Sequence, residues 1–156
     1  MITWYQDEEM AIFFSDVPDV KARFDTPFTT QQQSKEYEEK PFICLNKIDV
    51  CIKDYIACET YKFEIKKDYT WDGATIPRFL WRLFGSKSEP EFLIPSLIHD
   101  VICENHDYVE RDRYFSSCIF ERLLNVAGVP AWKRCLMKHG VDNYQKIFGG
   151  WGCCIK

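Results

Sequence analysis

No run of apolar residues in this chain approaches the roughly 18 needed to cross a bilayer as a helix, so no membrane span is expected. No block of lysine and arginine stands out either, and the electrostatic footprint of a nucleic-acid binder is missing. There is no Cys-x-x-Cys pair, which disfavours a zinc ribbon. There is no Gly-x-Ser-x-Gly, no phosphate-binding P-loop and no dinucleotide fingerprint, so serine-hydrolase, nucleotide-kinase and Rossmann chemistries lack their usual signals. The first nine residues are acidic and do not read as a secretory signal. Without one, the eight cysteines read as thiols rather than a disulfide framework. Cys44, Cys51 and Cys58, spaced by seven, are expected to be small buried residues. Cys153-Cys154-Ile155-Lys156 has the bare layout of a prenylation box, but Lys is an unusual last residue and the segment reads as a frayed tail.

What is present is a globular composition, 46% hydrophobic and 16% aromatic over 156 residues, with a net charge of −4. That length favours one domain, 1–156, and buries about 68–70% of the unfolded surface. Residues 1–40 look irregular apart from one apolar strand, Met10–Phe14, and Gln31–Glu36 reads as a linker. Phe42–Leu45 and Ile48–Ile52 read as strands, broken at Asn46-Lys47. Tyr61–Lys66 alternates apolar and charged residues as a half-buried strand does. Thr70–Pro77 carries Gly and Pro punctuation and reads as a loop, with a short helix over 79–84 ended by Gly85. Three helices are then expected: Glu91 to about Glu104, mostly buried; Glu110 to about Val126, amphipathic and stopped by Gly128; and one opened by Pro130 and running to about Phe148. Strands first and helices after make the fold class α+β, with N-terminal antiparallel strands packed on about three C-terminal helices.

The chemistry concentrates at His99-Asp100, which closes the apolar run Phe92–Ile98. A neutral polar group buried without a partner costs on the order of 2–7 kcal/mol, and a charge more. The pair therefore serves either a satisfied structural network or a site. Neighbouring residues on a helix project about 100° apart, so His99 and Asp100 face different partners. In a structural network Asp100 caps the amides of the Asp72–Pro77 loop, and Asp112 is a helix N-terminal residue. In a site, an imidazole and carboxylates hold a divalent metal or act as base and orienting acid. His99, Cys103, His106 and Asp112 also form a candidate four-ligand zinc set, with His99 and Cys103 one turn apart. Cys135 and His139 repeat that spacing, but Lys133, Arg134 and Lys138 flank them, which suggests a basic, wet face. Trp71, Phe79, Trp81, Phe84 and Trp132 read as core aromatics by default.

Two better-known constellations fail against these residues. The His-Asp phosphohydrolases need a further metal-binding histidine upstream, and none of the three histidines precedes His99. Secreted phospholipases A2 carry His-Asp on a helix, with a Gly-rich calcium loop and flanking disulfides. Trp71-Asp72-Gly73 echoes that loop only faintly, and Cys103 alone makes no framework.

Taken together, Asp72-Gly73-Ala74-Thr75-Ile76-Pro77, Leu97-Ile98-His99-Asp100, Arg111-Asp112-Arg113-Tyr114-Phe115, Gly140-Val141-x-x-Tyr144 and Trp151 resemble a phage-encoded family of unknown function, the one numbered 1353. The resemblance covers about residues 60–151, and leaves 1–58 as a strand-rich elaboration. It implies a phage or prophage origin and a recurring His-Asp/Asp constellation, but no reaction. One departure is visible. An apolar residue and then Leu-Tyr often follow His-Asp in the family, where this chain has Val101-Ile102-Cys103-Glu104.

Two functions are expected on this basis. In the first, the chain is a small metal-dependent hydrolase acting on a host component, cell wall or lipid. His99, Asp100 and Asp112 are its candidate catalytic residues, Asp72 and Thr75 its candidate substrate-binding residues, and His99 and Asp112 the candidate ligands of one divalent metal ion. In the second, it is a non-enzymatic virion-associated or host-interacting protein in which His99, Asp100 and Asp112 form a structural polar network. Its partners are then other phage structural proteins or a host protein. Either places it in the host cytoplasm or the virion.

Overall fold

The computed structural model describes residues 1–23, 39–73, 82, 85, 89–105 and 113–148, the side chains of Gln145 and Phe148 excepted. The described chain is α+β, with seven antiparallel strands followed by three helices. It divides into two compact units, residues 1–72 and 73–156.

The first unit holds two sheets. In the four-stranded one the order is β1 (Ile2–Gln6), β2 (Met10–Phe14), β5 (Ile48–Asp54), β6 (Glu59–Ile65). In the three-stranded one it is β3 (Val20–Ala22), β4 (Phe42–Cys44), β7 (Tyr69–Trp71). β2 and β5 are central, and Ile12 lies opposite Ile52, both fully buried. β6 sits at an edge and alternates exposed Lys62 and Glu64 with half-buried Tyr61 and Phe63, as its sequence predicts. The chain leaves one sheet and joins the other at Asn46. Its side chain accepts from the Asp19 amide and donates to the Val17 carbonyl, both at 2.9 Å.

Three expectations need correcting here. Residues 1–40 are not irregular around a single strand, because β1 and β3 are also present. β1 is held by pairing with β2, across a register shift between Thr3 and Tyr5, a cause that a local reading of half-exposed residues does not contain. The loop expected from Thr70 instead opens with β7, where Thr70 pairs with Ile43 and the buried Trp71 packs on Phe42 at 5.6 Å. Cys44 and Cys51 are buried as expected, but Cys58 is exposed. Its φ of 55° places it in the left-handed turn between β5 and β6. Burial pushes the Cys44 thiol above its ordinary range, against a smaller opposing effect of its contact with the Asn46 carbonyl. The linker expected over Gln31–Glu36 and most of the short helix over 79–84 lie outside the described residues.

The second unit contains α1 (Pro90–Glu104), α2 (Arg113–Val126) and α3 (Ala131–Phe148). Pro90 occupies the first turn of α1, where its missing N–H costs nothing. α2 ends in a Schellman motif: the Gly128 amide bonds the Asn125 carbonyl and the Val129 amide bonds the Leu124 carbonyl. Gly128 takes φ 84°, which an L side chain adopts only under strain. The reversal sets α2 and α3 antiparallel. Arg113 meets Asp142 and Arg134 meets Glu121, each at 2.9 Å. Phe92 of α1, Phe120 and Leu124 of α2, Val129, and Met137 and Val141 of α3 form one core cluster.

The expected basic, wet face around Cys135 and His139 is corrected in part. Those two are exposed, but the basic residues beside them turn inward. Arg134 also donates to the Val129 carbonyl at 2.8 Å. Lys133 lies over the Phe92 ring at 5.0 Å, and Lys138 donates to the Tyr114 hydroxyl at 3.3 Å. Burial lowers the Lys138 ammonium, yet its bonds to Tyr114 and Cys118 outweigh that and hold it above the usual lysine range.

A pair of glycine substitutions tests this description. A Cβ at Gly128 or at Gly140 meets nothing within 4 Å, so only the backbone decides. Gly128→Ala is expected to lose about 1–2 kcal/mol, the cost of the left-handed conformation. Gly140→Ala, inside α3, is expected to gain about 0.5–1 kcal/mol. Urea unfolding of both variants measures the two signs.

Candidate functional site

Pro90 at the helix start and Asn105 at its end bound α1, and between them the helix is buried around most of its circumference. Phe92, Leu97, Ile98, Val101 and Ile102 are all buried. His99 sits among them at 4% exposure. Its ring packs on Phe120 of α2, with centroids 5.3 Å apart and planes at 57°. Asp100, the next residue, has a side chain 18% exposed, and its Oδ1 lies 3.7 Å from His99 Nδ1. That separation is an ion-pair distance, longer than a hydrogen bond. The helix rotation between neighbours therefore allows proximity and prevents a direct bond, as the sequence implied.

One turn on, Cys103 Sγ stands 3.8 Å from His99 Nδ1 and 3.7 Å from Nε2. Near-equal distances to both nitrogens mean that the sulfur points along the lone pair of neither. Among the described residues, no oxygen or nitrogen atom is hydrogen-bonded to either ring nitrogen of His99. The other buried polar residues of the helical unit are bonded: Ser96 Oγ donates to the Leu93 carbonyl at 3.0 Å, and Ser116 Oγ to the Arg113 carbonyl at 2.7 Å. His99 differs in having a sulfur partner and no oxygen or nitrogen partner among the described residues, and such a weakly satisfied buried group calls for a cause.

The structure brings together His99, Asp100 and Cys103 on α1, with Phe120 behind the imidazole. Asp72 is exposed and follows β7 in the first unit. Thr75, His106 and Asp112 lie outside the described residues, as do Phe79, Trp81 and Phe84. Among the described residues no group of three or more His, Cys, Asp or Glu side chains is placed to hold a metal ion. The metal pair His99 and Asp112 and the candidate zinc set each include residues beyond that description. Of the remaining aromatics, Trp71 is core, while Trp132 is 54% exposed on α3 and departs from the core default.

Sequence reasoning missed the Arg113–Asp142 pair, to which Ser117 Oγ adds a 3.4 Å contact. It joins two of the motif segments, Arg111–Phe115 and Gly140–Tyr144. The opposite charges 29 positions apart, each at the centre of a motif, were the available signal.

The sequence profile of the family described as "Protein of unknown function (DUF1353)" matches residues 50–141. The match covers more than half of the chain and includes β5, β6, β7 and the three helices up to Val141. It starts earlier than the motifs implied, and stops before Tyr144 and Trp151. An uncharacterized protein, y4jT, of Sinorhizobium fredii is 34% identical over 73 residues, 47% of this chain and 21% of that protein. The chain thus spans about a fifth of that relative's length. No solved structure matches. No helix among the described residues is long and apolar enough to cross a membrane. The chain belongs to the DUF1353 family.

The state of His99 gives a test that needs no substrate. His99→Phe removes an imidazole whose nitrogens meet a thiol and no oxygen or nitrogen partner among the described residues, and keeps a ring against Phe120. Its melting temperature is expected to equal or exceed that of the wild type. A satisfied network broken at this position would instead cost about 1–3 kcal/mol, and a fall of that size in thermal or urea unfolding would reject the weakly satisfied imidazole.

Proposed function

We propose that this DUF1353 member is a phage or prophage accessory protein with a small hydrolase site centred on His99. The supporting observation is the buried imidazole of α1, whose ring nitrogens meet the Cys103 thiol and have no oxygen or nitrogen hydrogen-bond partner among the described residues. Phe or Leu would fill such a position at less cost. An imidazole kept there at the expense of stability is the signature of a working group.

In this reading His99 accepts a proton from the attacking group. Asp100, beside Nδ1, orients the ring and stabilises the imidazolium that forms. Asp112 completes the set, and Asp72 and Thr75 are the candidate substrate-binding residues. A divalent ion held by His99 and Asp112 would supply hydroxide near neutral pH. The substrate is a host component of the cell wall or lipid, met in the host cytoplasm or carried by the virion. The non-enzymatic reading, a structural network within a virion or host-interacting protein, draws less support, since it needs the His99 nitrogens to be satisfied.

The test is turnover by untagged protein of an ester, a phosphodiester, peptidoglycan and phospholipid vesicles, with and without added zinc, manganese or calcium. Elemental analysis accompanies it. Hydrolysis of at least one substrate is expected, reduced at least about a hundredfold in folded His99→Ala. Near-stoichiometric metal lost in the same variant assigns His99 as a ligand, and activity without metal assigns it as the base. No turnover under any condition overturns the hydrolase reading.

A further inference from the structure

We infer that Cys103 is the nucleophile of this site and that its substrates are acyl compounds, carboxylic esters or amides. The inference rests on the hydrolase reading and adds to it the attacking atom. Three side chains of one helix supply the parts of a thiol acyl-transfer site. Cys103 Sγ lies 3.7 Å from His99 Nε2, and Asp100 Oδ1 lies 3.7 Å from Nδ1 of the same ring. This is the order nucleophile, base, orienting carboxylate that activated nucleophiles share. The burial is graded in the useful direction. Cys103 is partly exposed, while His99 behind it is buried against Phe120 and held in place by that packing. The imidazole is buried, has no oxygen or nitrogen hydrogen-bond partner among the described residues, and is met by this thiol at both ring nitrogens. A carboxylate beyond hydrogen-bond length and a sulfur off the lone-pair axis are common before substrate binds, and close in the complex.

The chemistry balances without a further reagent. Sγ attacks the carbonyl carbon, the S–C bond forms, and the thiol proton passes to a His99 ring nitrogen. The C–O or C–N bond then breaks as the leaving oxygen or nitrogen takes that proton. Water attacks the thioester carbon and gives a proton to His99. The S–C bond breaks, the sulfur recovers the proton, and a carboxylic acid is released.

Iodoacetamide tests the thiol directly, with the other cysteines as internal standards. Sγ displaces iodide from the CH2–I carbon, and His99 takes the proton. Site-resolved mass spectrometry at pH 7 is expected to show Cys103 alkylating at least about tenfold faster than Cys58 and Cys135, although both of those are more exposed. Cys135 carries His139 at the same spacing but exposed, so it controls for spacing alone. In His99→Phe the Cys103 rate is expected to fall to theirs. A Cys103 rate at or below that of Cys58 in the wild type, which requires no variant to fold, overturns the inference. So does a rate that rises on chelation, which would mark a metal-held thiolate. Cys103→Ser separates this inference from the reading beneath it. Hydrolysis that survives in Cys103→Ser removes the nucleophile and leaves His99 as base or ligand, whereas wild type without turnover removes both.

Discussion

The packing of His99 on Phe120 is the contact on which the account of the helical unit depends. It places an imidazole of α1 against the interior face of α2 and makes it nearly inaccessible to water. Burial in an apolar setting strengthens whatever electrostatic contact the ring makes and penalises every contact it lacks. The ring makes few. A carboxylate stands just beyond hydrogen-bond length and a thiol sits off both lone-pair axes. The same helix thus supplies a rigid apolar support and an underused polar group, which is the arrangement a positioned catalytic side chain needs.

The rest of the helical unit holds Phe120 in place. The Schellman turn at Gly128 folds α3 back along α2, and Val129 enters the core beside Leu124. Two half-buried ion pairs, Arg113–Asp142 and Arg134–Glu121, fix the antiparallel register near both ends. Pairs of that exposure contribute little to stability singly. Their role here is register, and Arg113 opens α2 directly after Asp112. The core cluster from Phe92 to Val141 then closes around the face of α2 that carries Phe120.

Features with a local cause were legible in the sequence. The helix limits at Pro90 and after Pro130, the stop at Gly128 and the alternation of β6 each follow from one residue type or one period, and the structure has them within a residue or two. So does the buried character of α1, written in the run Phe92–Ile98. Features with a non-local cause were not legible. β1 exists because β2 is beside it, β4 and β5 fall in different sheets across a three-residue break, and Cys58 is exposed because a turn, not a strand, holds it. At the site, His99 and Asp100 stood out as charge-capable residues in apolar surroundings. The partner Phe120 and the approach of Cys103 to the ring did not, because side-chain packing and rotamers decide them. The matched family segment leaves out β1 to β4, where the reading of the sequence was weakest.

The central claim is that, among the described residues, the His99 ring nitrogens meet a thiol and are hydrogen-bonded to no oxygen or nitrogen atom. Long-range proton–nitrogen NMR correlation of the imidazole nitrogens measures this directly, with His99→Phe giving the assignment. The account predicts ring N–H protons with no coupling to a protein oxygen or nitrogen acceptor, and nitrogen shifts that move when a metal or substrate occupies the site. A slowly exchanging, strongly downfield ring N–H coupled to a protein acceptor would contradict it, and would make His99 a structural residue.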